Sequence, residues 1–241
     1  MILENQIAIV TGASSGLGFA ISSALVQKGA VVFGVARNAE ALEEVKQKLG
    51  KNFYSVQLNI ANRDAVLNWI NNTFSNDKHP SILINNAGVG SFGKIDEAPA
   101  SDWLNMINTN LNGMYFVTSA IVPFMKISTT HSHIINIGSI LGTMGRHEGA
   151  AYCTTKYGVN GFSDALFKEL RSFNIKVTCI NPGSIDTGFF NNSGIKSHHN
   201  MLQPEDLAKT IIHVLETPDN MLINEITIRP LNPKEPTHME K

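Results

Sequence analysis

The chain has 241 residues, a formal net charge of -1, and 43% hydrophobic against 16% charged residues. That balance supports a sizeable core and excludes a disordered chain. Near-neutrality removes the electrostatic case for nucleic acid or an anionic membrane as partner. Cys153 and Cys179 are the only cysteines. They make no disulfide framework and point to a reducing compartment. The N-terminus lacks the basic and long apolar regions of a signal peptide, and no apolar run is long enough to span a bilayer. A cytoplasmic location is the expectation.

In chain order, Ile7 to Val10 is a short apolar run, as expected of a strand buried on both faces. Thr11-Gly12-Ala13-Ser14-Ser15-Gly16-Leu17-Gly18 follows, and residues 19–28 read as a helix ended by Gly29. Glycines between a strand and a helix allow a tight turn. They also let backbone N–H groups approach a phosphate. Val31 to Val35 is a second buried strand, ending at Ala36-Arg37. In a dinucleotide fold an acid at that end holds a free ribose 2′-hydroxyl, and a base accommodates a 2′-phosphate. Arg37 with no acid beside it favours NADP over NAD.

Residues 39–49 form an amphipathic helix, 53–58 a third strand ending before Asn59-Ile60, and 64–74 another helix. Residues 81–84 are a fourth strand running into Asn85-Asn86-Ala87-Gly88. A long helical stretch over 101–125 contains Asn110. Residues 134–137 are the fifth strand, ended by Gly138-Ser139, and 152–173 the next long helix. Residues 176–180 are the sixth strand, closed by Asn181-Pro182-Gly183. Residues 188–203 are polar and aperiodic, a loop of functional length. A last helix over 204–215, a strand over 223–228 and a frayed polar tail over 233–241 complete the chain. Alternating strands and helices predict one α/β domain spanning 1–241. It is a doubly wound, Rossmann-type parallel sheet of about seven strands with helices on both faces.

Tyr152 and Lys156 stand four apart on a predicted helix, hence on one face. A fixed ammonium beside a phenol favours the phenolate and lowers the tyrosine pKa. That makes the phenol a usable acid and base near neutrality. In an open parallel sheet, ligands bind beyond the carboxyl ends of the strands. Gly12 to Gly18, Arg37, Asn59, Asn86 to Gly88, Ser139 and Pro182-Gly183 all fall at such ends. They predict a bound dinucleotide with catalysis above it.

With these residues in place, the chain resembles the short-chain dehydrogenase/reductase family from Ile7 to about Ile228. The matching motifs are Thr11-Gly-x-x-x-Gly-x-Gly18, Asn85-Asn-Ala-Gly88, Asn110, Ser139, Tyr152-x-x-x-Lys156 and Pro182-Gly-x-Ile-x-Thr187. The resemblance implies an NADP-dependent oxidoreductase acting on a carbonyl/alcohol pair. Tyr152 would be the proton donor, and Lys156 its pKa-lowering partner and holder of the nicotinamide ribose. Ser139 would bind the substrate oxygen, and Asn110 would anchor a proton-relay water. Ile185 and Thr187 would hold the carboxamide, with Asn86 and Ala87 along the adenosine ribose. Asn59 replaces an acid common in the family, yet can still accept from the adenine amino group. Glu225 to Pro230 stands where ketoacyl-carrier-protein reductases carry Gly-Gly. That end, with Gln203-Pro-Glu-Asp206, resembles the NADP-dependent 3-hydroxy acid (serine-type) dehydrogenases and carbonyl reductases. A 3-ketoacyl thioester reductase and a non-catalytic NADP(H) sensor are the alternatives. Family resemblance further implies a homodimer or homotetramer through the two long helices.

Substrate contacts are expected from Ser139, Leu141, Met144, His147 and Phe189, with specificity carried by 140–149 and 188–203. His198-His199 is not read as a metal site, because adjacent histidines point apart. No metal is expected.

Overall fold

The structure, a computed structural model, describes residues 1–190 and 198–232. The tail over 233–241 and the middle of the 188–203 loop lie outside the described residues.

Seven strands form one sheet: β1 (Ile7–Thr11), β2 (Val31–Ala36), β3 (Phe53–Gln57), β4 (Ile82–Asn85), β5 (Ser132–Ile137), β6 (Ile175–Pro182) and β7 (Glu225–Ile228). Their order is β3-β2-β1-β4-β5-β6-β7, with every pair parallel. The helices are α1 (Gly16–Gln27), α2 (Ala39–Leu49), α3 (Arg63–Thr73), α4 (Ala100–Ile107), α5 (Met114–Lys126), α6 (Ala150–Leu170) and α7 (Pro204–Leu215). Chain order reverses across the β1–β4 pair. The crossovers on either side leave in opposite directions there and open a crevice above the sheet.

Two layers of core explain why β1, β2 and β4 are nearly continuous apolar runs. Ala8 and Val10 of β1 face one layer with Ile21 and Leu25 of α1, Leu42 of α2 and Ile211 of α7. Ile9 faces the other, with Ile70 of α3, Val117 and Ile121 of α5 and Leu166 and Leu170 of α6. A strand covered on both faces has no solvent side on which to alternate. Each such Ile, Leu or Val contributes about 1.5–3 kcal/mol by leaving water.

The helix expected over 101–125 is continuous but not uniform. Residues Asn108–Gly113 widen into a π-helical turn between α4 and α5. No propensity rule marks such a turn, and they gather at functional sites. β5 also begins two residues before the expected start. Ser132 and His133 are polar, yet both are fully covered between neighbouring strands.

His133 Nε2 pairs with Thr178 Oγ1 at 2.8 Å. Burial pushes its pKa down from 6.5 to about 3, helped by the positive charges of Lys176 and the N-terminus. Between those values the unfolded chain takes up a proton that the folded chain refuses. Stability should therefore fall as pH drops below about 6.5, by roughly 1.4 kcal/mol per unit at the steepest. Urea midpoints at pH 7 and pH 5 check this. His133→Asn should flatten the slope, and an unchanged slope would assign the loss to other groups.

Candidate active site

The glycine turn is built by close approach. Gly12 has φ 70°. A Cβ there would lie 2.8 Å from Asn86 Nδ2 and 2.9 Å from Ala87 Cα. A Cβ on Gly18 would run into the Gly12 carbonyl oxygen and lie 2.7 Å from Asn86 Nδ2. The spacing of these glycines is therefore a packing requirement between the turn, α1 and the β4 end. Asn86 braces it by donating from Nδ2 to Thr11 O at 2.9 Å. The backbone N–H groups of Asn86 and Ala87 both donate to Thr11 Oγ1 at 3.0 Å. At the start of α1, Ser15 makes no side-chain cap and the first turn holds no acid. Its N–H groups and positive dipole end face the crevice.

A cavity of about 1030 Å³ opens there. It is lined by Gly12, Ser14, Ser15, Gly16, Leu17 and Gly18 from the turn, and by Arg37 at the end of β2. Asn59 and Ile60 follow β3, and Asn86, Ala87 and Gly88 follow β4. Pro182, Gly183, Ile185 and Thr187 line the side beyond β6. Asn59 is exposed, and its Oδ1 already accepts from Ala61 N at 3.1 Å. The uncapped helix start, the close backbone approach and the elongated volume suit a dinucleotide.

The opposite wall carries the titratable groups. Tyr152 and Lys156 are buried on α6, with Ser139 beside them at the β5 end. The Lys156 ammonium donates to Ile137 O at 2.8 Å and lies 5.6 Å from the centre of the Tyr152 ring. The expected lowering of the phenol pKa is corrected here. Burial raises it above its ordinary value, the Ser139 hydrogen bond opposes that rise only in part, and Cys153 adds to it. Lys156 is itself pushed down to about 8 by burial, with Cys179 acting against the shift. Desolvation outweighs the pairing because the ammonium is turned to a backbone carbonyl.

Asn110 sits behind this wall, inside the π-helical turn. Its Nδ2 donates to Val89 O at 2.9 Å and to Thr155 Oγ1 at 3.0 Å, and its Oδ1 accepts from Val89 N at 2.8 Å. A Cβ on Gly88 would be 3.5 Å from Asn110 Oδ1 and 3.9 Å from Lys156 Nζ, so the two side chains flank one point of backbone.

On the open side, Leu141 and Phe189 line the cavity together with Ser139. Met144 and His147 do not; both are exposed. His147 turns its Nδ1 toward Glu148 Oε1, 3.8 Å away. Arg146, between them, reaches the cavity instead. Phe92 does so too, from the chain after β4. Its ring lies 5.4 Å from that of Tyr152, and Phe189 lies 5.8 Å from Tyr152 on another side. Neither Arg146 nor Phe92 belongs to a recognisable motif, and the facing of a side chain on an irregular turn has no periodicity to reveal it. No helix among the described residues is long and apolar enough to cross a membrane.

A glycine cradle at the sheet's reversal point, facing a buried Tyr–Lys–Ser wall, defines an oxidoreductase of the dinucleotide-binding class. The chain belongs to the short-chain dehydrogenase family, whose sequence profile matches residues 6–198, and acts on CH–OH donors. An uncharacterised oxidoreductase of Staphylococcus aureus strain MW2 is 34% identical over 234 residues, 95% of this chain and 99% of its own. The closed form of a serine dehydrogenase complexed with NADP+ superimposes with a TM-score of 0.87 at 34% identity, over 92% of this chain and 94% of that one. A metagenomic short-chain oxidoreductase in complex with NADP gives 0.83 at 31% identity, over 95% and 99% of the two chains.

Proposed function

We propose that the protein is an NADP(H)-dependent oxidoreductase that interconverts a carbonyl and a secondary alcohol, with Tyr152 as general acid and base. One observation carries the reading. A single cavity has Arg37 and the uncapped start of α1 toward one end, and the Tyr152–Ser139–Lys156 wall toward the other. The NADP-bound relatives support the cofactor choice.

When bound, the cofactor supplies a hydride to the carbonyl carbon in reduction. The residues of this chain do the rest. Arg37 would offer its guanidinium to the 2′-phosphate, and the turn from Gly12 to Gly18 would offer N–H groups to the pyrophosphate. Asn86 and Ala87 would lie along the adenosine ribose, and Ile185 and Thr187 would hold the carboxamide. Ser139 donates to the substrate oxygen. Tyr152 would give that oxygen its proton as the carbonyl carbon is reduced, so that an alcohol results. A phenol held protonated by burial is the form that this step consumes. Lys156, pushed down by burial, would in its charged form stabilise the phenolate that forms. Asn110 would anchor a water in a proton relay to Lys156.

Oxidation of NADPH in the presence of a carbonyl panel tests the reading: a 3-oxo acid, a 3-ketoacyl thioester, a diketone and an aromatic aldehyde. Turnover on one class is expected. Binding of NADPH without turnover on any would favour a sensor.

A further inference from the structure

We infer that Arg146 is a specificity-determining residue and that the substrate carries an anionic group, a carboxylate, close to its reacting carbonyl. The inference rests on the reductase reading above and goes beyond it by naming the substrate's charge.

Among the described residues three cationic side chains line the cavity, Arg37, Lys156 and Arg146, and no Asp or Glu does. This occurs in a chain whose net charge is -1, so the cavity concentrates positive charge against the overall balance. Arg37 stands at the end of β2, and Lys156 is buried beside the phenol. Arg146 has no role in that scheme and lies on the open, substrate side.

Its guanidinium is exposed and rests on an aromatic ring. Arg146 Cζ lies 4.3 Å from the centre of the Phe92 ring. That ring in turn lies 5.4 Å from the Tyr152 ring. A guanidinium stacked on an aromatic face keeps its N–H edge free for a planar, bidentate acceptor. The carboxylates nearby in sequence or in the adjoining loop are directed elsewhere. Glu148 adopts φ 59° with its carboxylate toward His147. Asp102 accepts from Ser91 Oγ at 2.6 Å, and Glu97 pairs with Lys94 at 2.7 Å. Among the described residues Arg146 makes no ion pair within the chain. Cation and phenol are one ring apart, so a short acid with its carbonyl at Tyr152 and Ser139 presents its carboxylate to Arg146. A neutral analogue leaves the guanidinium without an acceptor.

The test uses the full chain, NADPH, and 3-oxo acids paired with their methyl esters, which remove the charge and keep the carbonyl. The readout is the acid-to-ester ratio of kcat/KM. Wild type should prefer the acid. Arg146→Ala should lower the ratio by about tenfold or more, chiefly through KM for the acid, as expected for losing hydrogen bonds to a charged group. Arg146→Lys should retain part of the preference, and Arg146→Glu should invert it. A preference for the ester in wild type, or a ratio unchanged in Arg146→Ala, would overturn the inference while leaving the reductase reading intact. No turnover of either partner, with NADPH bound, would overturn the reading and the inference with it.

Discussion

Tyr152→Phe should lower kcat by about a thousandfold while NADPH binds within a few-fold of wild type. The size follows from positioned acid–base groups, which contribute roughly 10²–10⁴ in rate. Removing the hydroxyl deletes the only atom of that residue able to give the substrate oxygen a proton, and little else changes. The ring keeps its packing against Phe92 and Phe189. Lys156 keeps its bond to Ile137 O, which does not depend on the phenol. Steady-state turnover and NADPH fluorescence on the same preparation separate the two effects. Retained turnover would remove Tyr152 from the proton path. Equal loss of binding and turnover would make it a structural residue of the cavity.

Arg37→Asp should exchange cofactor preference. The side chain stands at the end of β2, where the ribose of a dinucleotide meets the sheet edge in this class of fold. The substitution removes a cation and places an anion against a 2′-phosphate. A charge-assisted contact contributes about 1.5–3 kcal/mol, reduced here because Arg37 is exposed to screening solvent. Loss and repulsion together predict that kcat/KM for NADPH falls by about 30- to 300-fold, with NADH changing only a few-fold. Asn38 should continue to cap α2, since its Oδ1 accepts from Ala41 N independently of Arg37. Parallel loss for both cofactors would assign Arg37 to the turn's folding rather than to the phosphate.

Much of this architecture is legible in the sequence because it rests on local chemistry. The runs at Ile7, Val31 and Ile82 are continuous where both faces are covered, and Gly12 follows the first where its backbone meets that of Ala87. The spacing of Tyr152 and Lys156 needs only helix geometry. What stayed hidden depends on tertiary context. The π-helical turn at Asn108–Gly113 has no sequence periodicity of its own. Ser132 and His133 look like loop residues, but β6 pairs with them and supplies Thr178 to His133. The direction of the Tyr152 shift turns on how deeply the wall is buried and where the lysine donates, neither of which a motif records. On the turn between Ser139 and α6, the sequence points to Met144 and His147 and passes over Arg146. Arg146 is as exposed as they are, yet of the three it alone lines the cavity, because of the path the backbone takes. The chemistry of a fold is thus easier to read than the substrate it serves, since loops select substrates.

The most direct test of the account is oxidation of NADPH and NADH, side by side, by the wild-type protein against the carbonyl panel. The account predicts turnover on one carbonyl class, with NADPH strongly preferred and the preference lost in Arg37→Asp. NADH used as well as NADPH would contradict the cofactor assignment. Tight NADPH binding with no turnover on any member would contradict the catalytic one.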